Sequence, residues 1–564
     1  FTFKVNDGTV DSSAATISID LRTDPLYQYQ WHLNNTGQTN FATNAGTSGA
    51  DLNIDTVIVS GVTGSGVIVN VVDSGLEIAH EDLVDNIVAN GSYDFTNDDN
   101  DPTSSANTGD HGTSVAGIIA AKGWNNKGGR GVAPDAKLIG FNYISGSNAT
   151  DANETIALYS SSLVANVDIF NMSYGYTPNG EFGPTNQYSS PQSFRENAVV
   201  AGTNNLRGGK GAIYVKSSGN YWNTTNNNFS DSDMPNWDAN FDSSASNKEV
   251  IVVGALNADD TRSSYSSPGA ALWVSSYGGE YGNNTSHSGL NSSGGNKPAI
   301  MTTDQSSCSQ GYVKSNVSAG AGKNYNAFNN GDHSENSSCN YASTFNGTSS
   351  AAPNASGVIA LMLEKNPNLT WRDVKHILAS TATQVDSSSS KTNQGITQYS
   401  WVTNAANFKY NPVYGFGKVN ADAAVTSAGS YTAGSLGTTK STDGDSGSIN
   451  AAIDSLSVNT YTLSLSKPDD VDGTIEWIRV GLSLNHAIPS SIGARLQSPS
   501  GTVHNIMFPL TAVSTDPSGT TFELGIAGFY GESVAGTWTL AIDEYTDDGT
   551  DGVLRQWDIR AIVR

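Results

Sequence analysis

The sequence predicts an α/β domain with a mainly parallel sheet and helices on both faces, followed by an antiparallel β-sandwich. Two observations carry this expectation. From Asp24 to about Thr426, short apolar runs such as Val67–Val72 and Ala212–Ser217 alternate with helical patterns. Strands of that kind are buried on both faces, as in parallel sheets. Beyond residue 448 the pattern changes. Ile478, Val480, Leu482 and Leu484 alternate with other residues, as do Trp538, Leu540 and Ile542. Period-two patterning of this sort marks half-buried antiparallel strands. Between the two regimes, residues 427–448 are rich in Gly, Ser and Thr and read as a linker. The expected organisation is a tail at 1–22, the α/β domain at 23–426, the linker, and a sandwich at 449–564.

The chain opens with FTFKVNDGTVDSSAATISI, which alternates apolar and polar residues around Asp7-Gly8 and reads as a β-hairpin. It is similar to the final strands of Ig-like or cadherin-like repeats of bacterial surface proteins. Phe1 is no initiator and no signal segment precedes it, so a processed or trimmed fragment, or a propeptide remnant, is expected.

Three residues then stand in the order Asp, His, Ser, each where a strand or helix should begin or end. Asp73 follows the run Val67–Val72, and Gly75 turns the chain. An aspartate there can accept an imidazole Nδ1–H, fix its tautomer and stabilise the imidazolium. His111 precedes Gly112 and the small-residue helical run Thr113–Ala121. Ser349 lies just inside a second helical pattern that continues through Val358, Leu361 and Leu363. Alone, a serine there is most often an N-terminal cap, and a lone His at a helix start is usually structural. Together in this order they form one of the convergent chain orders of a nucleophilic triad. Asn220 completes the set: it follows Ser217-Ser218-Gly219 at the end of a buried strand. Its amide can donate to an oxyanion alongside the Ser349 N–H.

These motifs, VVDSGLEIAHEDL, DHGTSVAGIIA, SGN and NGTSSAAPNASGVIALML, resemble those of the subtilisin superfamily. YGFGKVNADAAV resembles a last-helix signature of subtilisins, Asn366–Ala379 extends the resemblance toward the kexin/furin branch, and SPSGT at 498–502 with GTWTLAI at 536–542 look like its trailing P domain. The resemblance covers about residues 24–564. It implies a subtilisin-like α/β catalytic domain, an antiparallel P-domain sandwich, and a serine endopeptidase acting through an acyl-enzyme. Asp73, His111 and Ser349 are then the triad and Asn220 the oxyanion donor. Ser173-Tyr174-Gly175 pairs with extended substrate backbone, and Ser217, Ser218 and Gly219 contribute to substrate binding. Polypeptide substrates, a propeptide or dedicated chaperone, and a monomer are the implied associations.

Two calcium sites are expected. Asp94, Asp99 and Asp101 crowd the loop SYDFTNDDNDP, and calcium prefers six to eight hard oxygens, several from clustered carboxylates; this loop also resembles a furin calcium loop. The resemblance implies a second site combining Asp24, Asp82 and Asn125 with the carbonyls of Lys122, Lys127 and Gly129. Asp469, Asp470 and Asp472, like Asp547 and Asp548, read as solvated loops. Cys308 and Cys339 flank a polar loop and are expected to form a disulfide, contributing about 3–4 kcal/mol by loop closure.

Composition agrees with a secreted enzyme. The net charge is −25 with only 28 Lys and Arg, which argues against nucleic acid or anionic membranes as partners. No apolar run reaches the ~18–20 residues of a membrane span. Specificity is where the sequence departs from its kexin-type relatives, whose pockets hold carboxylates for basic side chains. Ser74 directly follows the catalytic aspartate, a second acidic place falls near Pro178 with Glu181 further on, and Tyr265-Ser266 leads into Ser267. Asp238 and Asp242 are the candidate pocket acids that remain. Broad cleavage is therefore expected, against the alternatives of dibasic processing or a non-catalytic adhesion module. Intact residues at all four catalytic positions oppose the last.

Overall fold

The computed structural model describes residues 2–13, 15–16, 23–105, 111–145, 148–175, 193–222, 233–288, 295–314, 325–330, 333–454, 457–486, 491–509, 511, 520–545 and 552–564. Seven strands form one fully parallel sheet: β1 (Ile68–Asp73), β2 (Tyr93–Asp94), β3 (Lys137–Asn142), β4 (Ile169–Met172), β5 (Ile213–Ser217), β6 (Val250–Leu256) and β7 (Val274–Tyr277). Their spatial order is β2-β3-β1-β4-β5-β6-β7. After β1 the chain forms the edge strand β2, returns to place β3 between it and β1, then crosses to β4 on the other side. That reversal opens a crevice at the carboxyl ends of β1 and β4, where open α/β sheets place their ligands. Asp73 ends β1, Ser173 follows β4 and Ser217 ends β5, so all three reach the same edge.

Two helices packed against each other dominate one face of this sheet, α1 (His111–Ala120) and α2 (Thr348–Lys365). Thr348 through Leu363 are buried on every side, because the helix is apolar or small-residued all round and presents no polar stripe to water. Pro353 lies inside it. Proline has no N–H to give the carbonyl four residues back, and the Ser173 hydroxyl donates to that Ser349 carbonyl instead, at 3.0 Å. Helix α3 (Trp371–Thr381) begins with a reciprocal Thr370–Asp373 capping box. The expected disulfide joins Cys308 to Cys339.

The sandwich contains two antiparallel sheets. One is built from β8 (Lys440–Asp445), β9 (Ala451–Ile453), β11 (Ile475–Asn485), β14 (Thr520–Ile526) and β16 (Gly552–Val563). The other orders β10 (Val458–Leu465), β15 (Gly536–Glu544), β12 (Ile492–Gln497) and β13 (Val503–Met507). The alternating residues behave as the pattern predicts, with Val480, Leu482, Trp538, Leu540 and Ile542 in one core. The N-terminal hairpin also forms, Thr2–Phe3 pairing antiparallel with Ala15–Thr16.

The linker expectation needs correction. Residues 427–430 are the last turn of helix α4 (Ala421–Ser430), and 440–445 form β8, paired residue for residue with β16. Only 431–439 connect the two. Composition misleads because β8, with the sequence KSTDGD, is an edge strand held by backbone hydrogen bonds, its side chains mostly in water.

The two domains are joined by a buried interface. Arg372 of α3 forms a two-pronged pair with Glu476, at 2.8 and 2.5 Å. The Lys375 ammonium lies 4.0 Å from the Trp273 ring and 4.8 Å from the Trp477 ring, and burial pushes its pKa well down. Trp477, 4% exposed, belongs to the catalytic domain's hydrophobic cluster. Truncating a buried tryptophan costs about 3–5 kcal/mol. Trp477→Ala should therefore lower the melting temperature of both domains together in scanning calorimetry. A transition that splits, with the catalytic peak unmoved, contradicts a shared core.

Candidate active site

Asp73 is fully buried, and its Oδ1 accepts two hydrogen bonds, from the Ser74 N–H at 2.7 Å and His111 Nδ1 at 2.8 Å. The imidazole is thereby oriented with its other nitrogen toward the crevice. The start of α1 packs hard against the turn after β1. A Cβ at Gly112 would stand 1.8 Å from the Gly75 carbonyl oxygen, so only glycine fits beside His111.

Ser349 is the second residue of α2. The first N–H groups of a helix have no intrahelical acceptor, and the helix dipole favours negative charge there. Its hydroxyl donates to the Ser173 carbonyl at 3.2 Å, and the Ser173 hydroxyl donates to the Ser349 carbonyl, so the two residues are bonded in both directions. Gly347 precedes the helix at φ +92°, a conformation that disfavours any side chain. A Cβ there would also lie 3.1 Å from Asn220 Nδ2.

Asn220 is oriented by Thr348, whose N–H and hydroxyl both donate to Asn220 Oδ1 at 2.9 Å. With its oxygen taken by two donors, the amide presents Nδ2 to the crevice. The Thr348 hydroxyl accepts in turn from the Gly219 N–H at 3.1 Å. Thr348 is a functional residue that sequence reasoning missed, although its place directly before the serine was a usable signal.

The groove beside Ser349 is lined by Ser173, Tyr174, Gly175, Ser217, Ser218 and Gly219 among others. The Lys216 ammonium donates to the Tyr174 carbonyl at 2.5 Å and pairs with Asp242 at 3.1 Å. Tyr174 donates to Glu154 at 3.0 Å, and Glu154 pairs with Arg195 at 2.7 Å. Burial, then Glu154, pushes the Tyr174 pKa up, so it stays a donor. Asp238 is buried, accepts from the Asn240 and Phe508 N–H groups, and is pushed up to about 7 by burial. Pro178, Glu181, Asp547 and Asp548 lie outside the described residues.

The two expected cation sites differ. Asp24 accepts from the Trp124 and Asn125 N–H groups, and the Asn125 amide donates to Asp82 at 2.7 Å. Asp82 Oδ2 is buried without a hydrogen-bond partner, and burial raises the pKa of Asp24 and takes that of Asp82 to about 8. Lys122, Lys127 and Gly129 belong to the same loop; the Lys122 N–H donates to the Asp82 carbonyl and the Lys127 N–H to the Asn125 side chain. The acidic loop is arranged otherwise. Asp94 accepts from Thr96, Asn97 and Asn142, Asp99 from the Asp101 N–H, and Asp101 from the Thr103 N–H. Each carboxylate caps its own turn. Among the described residues no three His, Cys, Asp or Glu side chains gather as a metal cluster.

Residues 64–417 match the subtilase family and residues 475–561 the proprotein convertase P-domain. The chain belongs to the subtilase family. It is a serine endopeptidase of the kexin-like kind, with a P domain. This subtilase is 34% identical to the extracellular serine protease of Aeromonas sobria, over 92% of its own length and 84% of the relative. It is 28% identical to kexin of Saccharomyces cerevisiae, of which it spans 56%. The crystal structure of the Aeromonas sobria protease superposes with a TM-score of 0.85 at 30% identity, covering 99% of both chains. That protease has also been solved in complex with a chaperone.

Removing an oxyanion donor costs about 100–1,000-fold in kcat. Asn220→Ala should lower kcat of the subtilase by that order with KM little changed, and Thr348→Val should reproduce part of the loss. Ser349→Ala should abolish hydrolysis without altering the circular dichroism spectrum. An unchanged kcat in Asn220→Ala refutes the oxyanion assignment.

Proposed function

We propose that this subtilase is a secreted, calcium-dependent endopeptidase that cleaves extended polypeptides through an acyl-enzyme, with broad preference at the residue before the cut. The reading is carried by the 2.8 Å bond between buried Asp73 and His111 at the crevice that also holds Ser349 and Asn220.

In the free enzyme the Ser349 hydroxyl is bonded to the Ser173 carbonyl. A substrate N–H that pairs with that carbonyl takes over the bond and releases the hydroxyl to rotate onto His111 Nε2. Ser349 Oγ then attacks the scissile carbonyl carbon while His111 takes its proton. The oxyanion is held by Asn220 Nδ2 and the Ser349 N–H. Collapse breaks the C–N bond, and His111 returns the proton to the leaving amine. His111 next deprotonates a water that attacks the acyl-serine ester, and the proton passes back to Ser349.

Broad specificity is supported by what the two pocket acids already bind. Asp242 is paired with Lys216 and accepts from the Ser244 N–H at 3.0 Å, while Asp238 faces backbone N–H groups. A basic substrate side chain would have to compete with Lys216 for its carboxylate. Similarity to kexin favours the second reading, dibasic processing. A mixed peptide library separates the two: cleavage confined to paired basic residues supports kexin-like processing and refutes breadth.

Calcium is supported at the Asp24–Asp82–Asn125 cluster, where a buried carboxylate oxygen stands without a donor. A bound cation supplies charge compensation that ties residue 24 to the loop after α1. Ligands that bind only the native state stabilise it by about 2.7 kcal/mol at a hundredfold excess over Kd. EDTA should lower the melting temperature and hasten autolysis, and Asp82→Asn should remove most of that sensitivity. Identical melting curves in EDTA and calcium refute the site. Secretion is supported by similarity to extracellular Aeromonas proteases. The chaperone bound to the Aeromonas sobria relative supports a dedicated folding partner of the same type.

A further inference from the structure

We propose that Tyr265 is a positioning residue for catalysis, the centre of a bracket formed by residues 265–267 that fixes the spacing between the two halves of the oxyanion hole. The proposal rests on the endopeptidase reading and concerns how its transition state is held.

The oxyanion hole is assembled from segments distant in sequence, the Asn220 turn and the Gly347–Ser349 turn. Its geometry therefore depends on what ties one segment to the other. Thr348 ties them from the front. From behind, both are tied to the same three residues. The Ser267 N–H donates to the Gly219 carbonyl at 2.9 Å, and the Tyr221 N–H donates to the Ser267 hydroxyl at 3.0 Å, so one residue grips both sides of Asn220. The Trp222 N–H donates to the Tyr265 carbonyl at 3.0 Å. The Tyr265 side chain then reaches the other segment, where its hydroxyl accepts from the Gly347 N–H at 2.7 Å.

That hydroxyl has no slack. Its single proton is directed at the Gly278 and Gly279 carbonyls, at 3.0 and 2.6 Å. Burial raises the tyrosine pKa well above its usual value, so the group stays a neutral donor. Gly278 itself abuts the nucleophile turn, since a Cβ there would lie 2.7 Å from the Gly347 carbonyl. The chain Gly347 N–H, Tyr265 O–H, Gly278/Gly279 carbonyl therefore anchors the residue two before the nucleophile to the turn after β7. Phenylalanine would keep the ring but leave the buried Gly347 N–H without its acceptor. The turn would shift to find another, carrying the Ser349 N–H out of register with Asn220.

A merely structural tyrosine would lower stability and leave turnover alone. As a positioning residue, Tyr265→Phe should lower kcat at least tenfold with KM within twofold. The affinity of a peptidyl boronate, which mimics the tetrahedral intermediate, should fall in parallel with kcat/KM. In an Asn220→Ala background the same substitution should cost twofold or less, because the second donor it aligns with is gone. Unchanged kcat in Tyr265→Phe, or an equal fold-loss in both backgrounds, overturns the proposal. If Tyr265→Phe does not fold, Ser267→Ala, which releases the Tyr221 N–H from the same bracket, faces the same two criteria. Labelling of the wild type by a fluorophosphonate keeps the outcomes distinct. No label refutes the hydrolase reading itself, whereas label uptake with unmoved kinetics refutes only the role of Tyr265.

Discussion

Everything in this molecule is arranged around a helix with no face for water. Thr348–Lys365 starts at the crevice and runs inward with every residue from Thr348 to Leu363 buried. A helix apolar all round must be enclosed, and here the parallel sheet, α1 and α4 enclose it. Enclosure gives the nucleophile its precision. Ser349 is the second residue of a rod held along its length, so its position is set by many contacts that catalysis does not disturb. Pro353 couples that rod to the substrate wall, because the Ser349 carbonyl it leaves unbonded within the helix is taken by the Ser173 hydroxyl.

Several polar groups at the mouth of this helix are held by specific donors. A buried donor left unpaired costs about 1–3 kcal/mol, and the site uses that penalty to fix orientation. Asn220 has its oxygen saturated by Thr348, so its amide hydrogens face outward. Asp73 Oδ1 takes both the Ser74 N–H and His111. Asp82 Oδ2, like Asp73 Oδ2, is buried with no donor. Orientation at the crevice therefore comes from Asn220 Oδ1 and Asp73 Oδ1, the two oxygens whose donors are in place.

The placement of Asp73, His111, Ser349 and Asn220 about one crevice was legible because the local flanks, strand end or helix start, are themselves written in sequence. The parallel sheet and the sandwich were legible from burial patterns for the same local reason. What escaped was non-local. Tyr265 and Lys216 act on segments roughly 80 and 40 residues away, and no spacing rule announces such contacts. In the acidic loop, Asp94 and Asp99 face each other across a bridge, and the carboxylates of Asp94, Asp99 and Asp101 each accept from the backbone N–H two residues on. Strand β8 was hidden because an edge strand needs only backbone, and its side chains carry no burial signal.

The P domain is bound up with the same constraint rather than appended to it. Trp237 lines the substrate groove and also belongs to the sandwich core, in contact with Phe241. Beside it, Asp238 takes an N–H from Phe508 of the sandwich, and Asn240 donates to the Gly525 carbonyl on β14. The segment 237–242 thus has one side on substrate and the other on the P domain. On the far side, Lys375 sits between Trp273, next to β7, and Trp477 of β11. Burying an ammonium costs several kcal/mol, and the Lys248 carbonyl, which accepts from it at 2.7 Å, and the two aromatic faces each offset part of that cost. Withdrawing the sandwich would expose Trp237 from behind, remove the Phe508 donor from Asp238 and strip one ring from Lys375. The groove wall, and with it the pocket that Asp242 and Lys216 share, therefore has its shape only in the two-domain molecule.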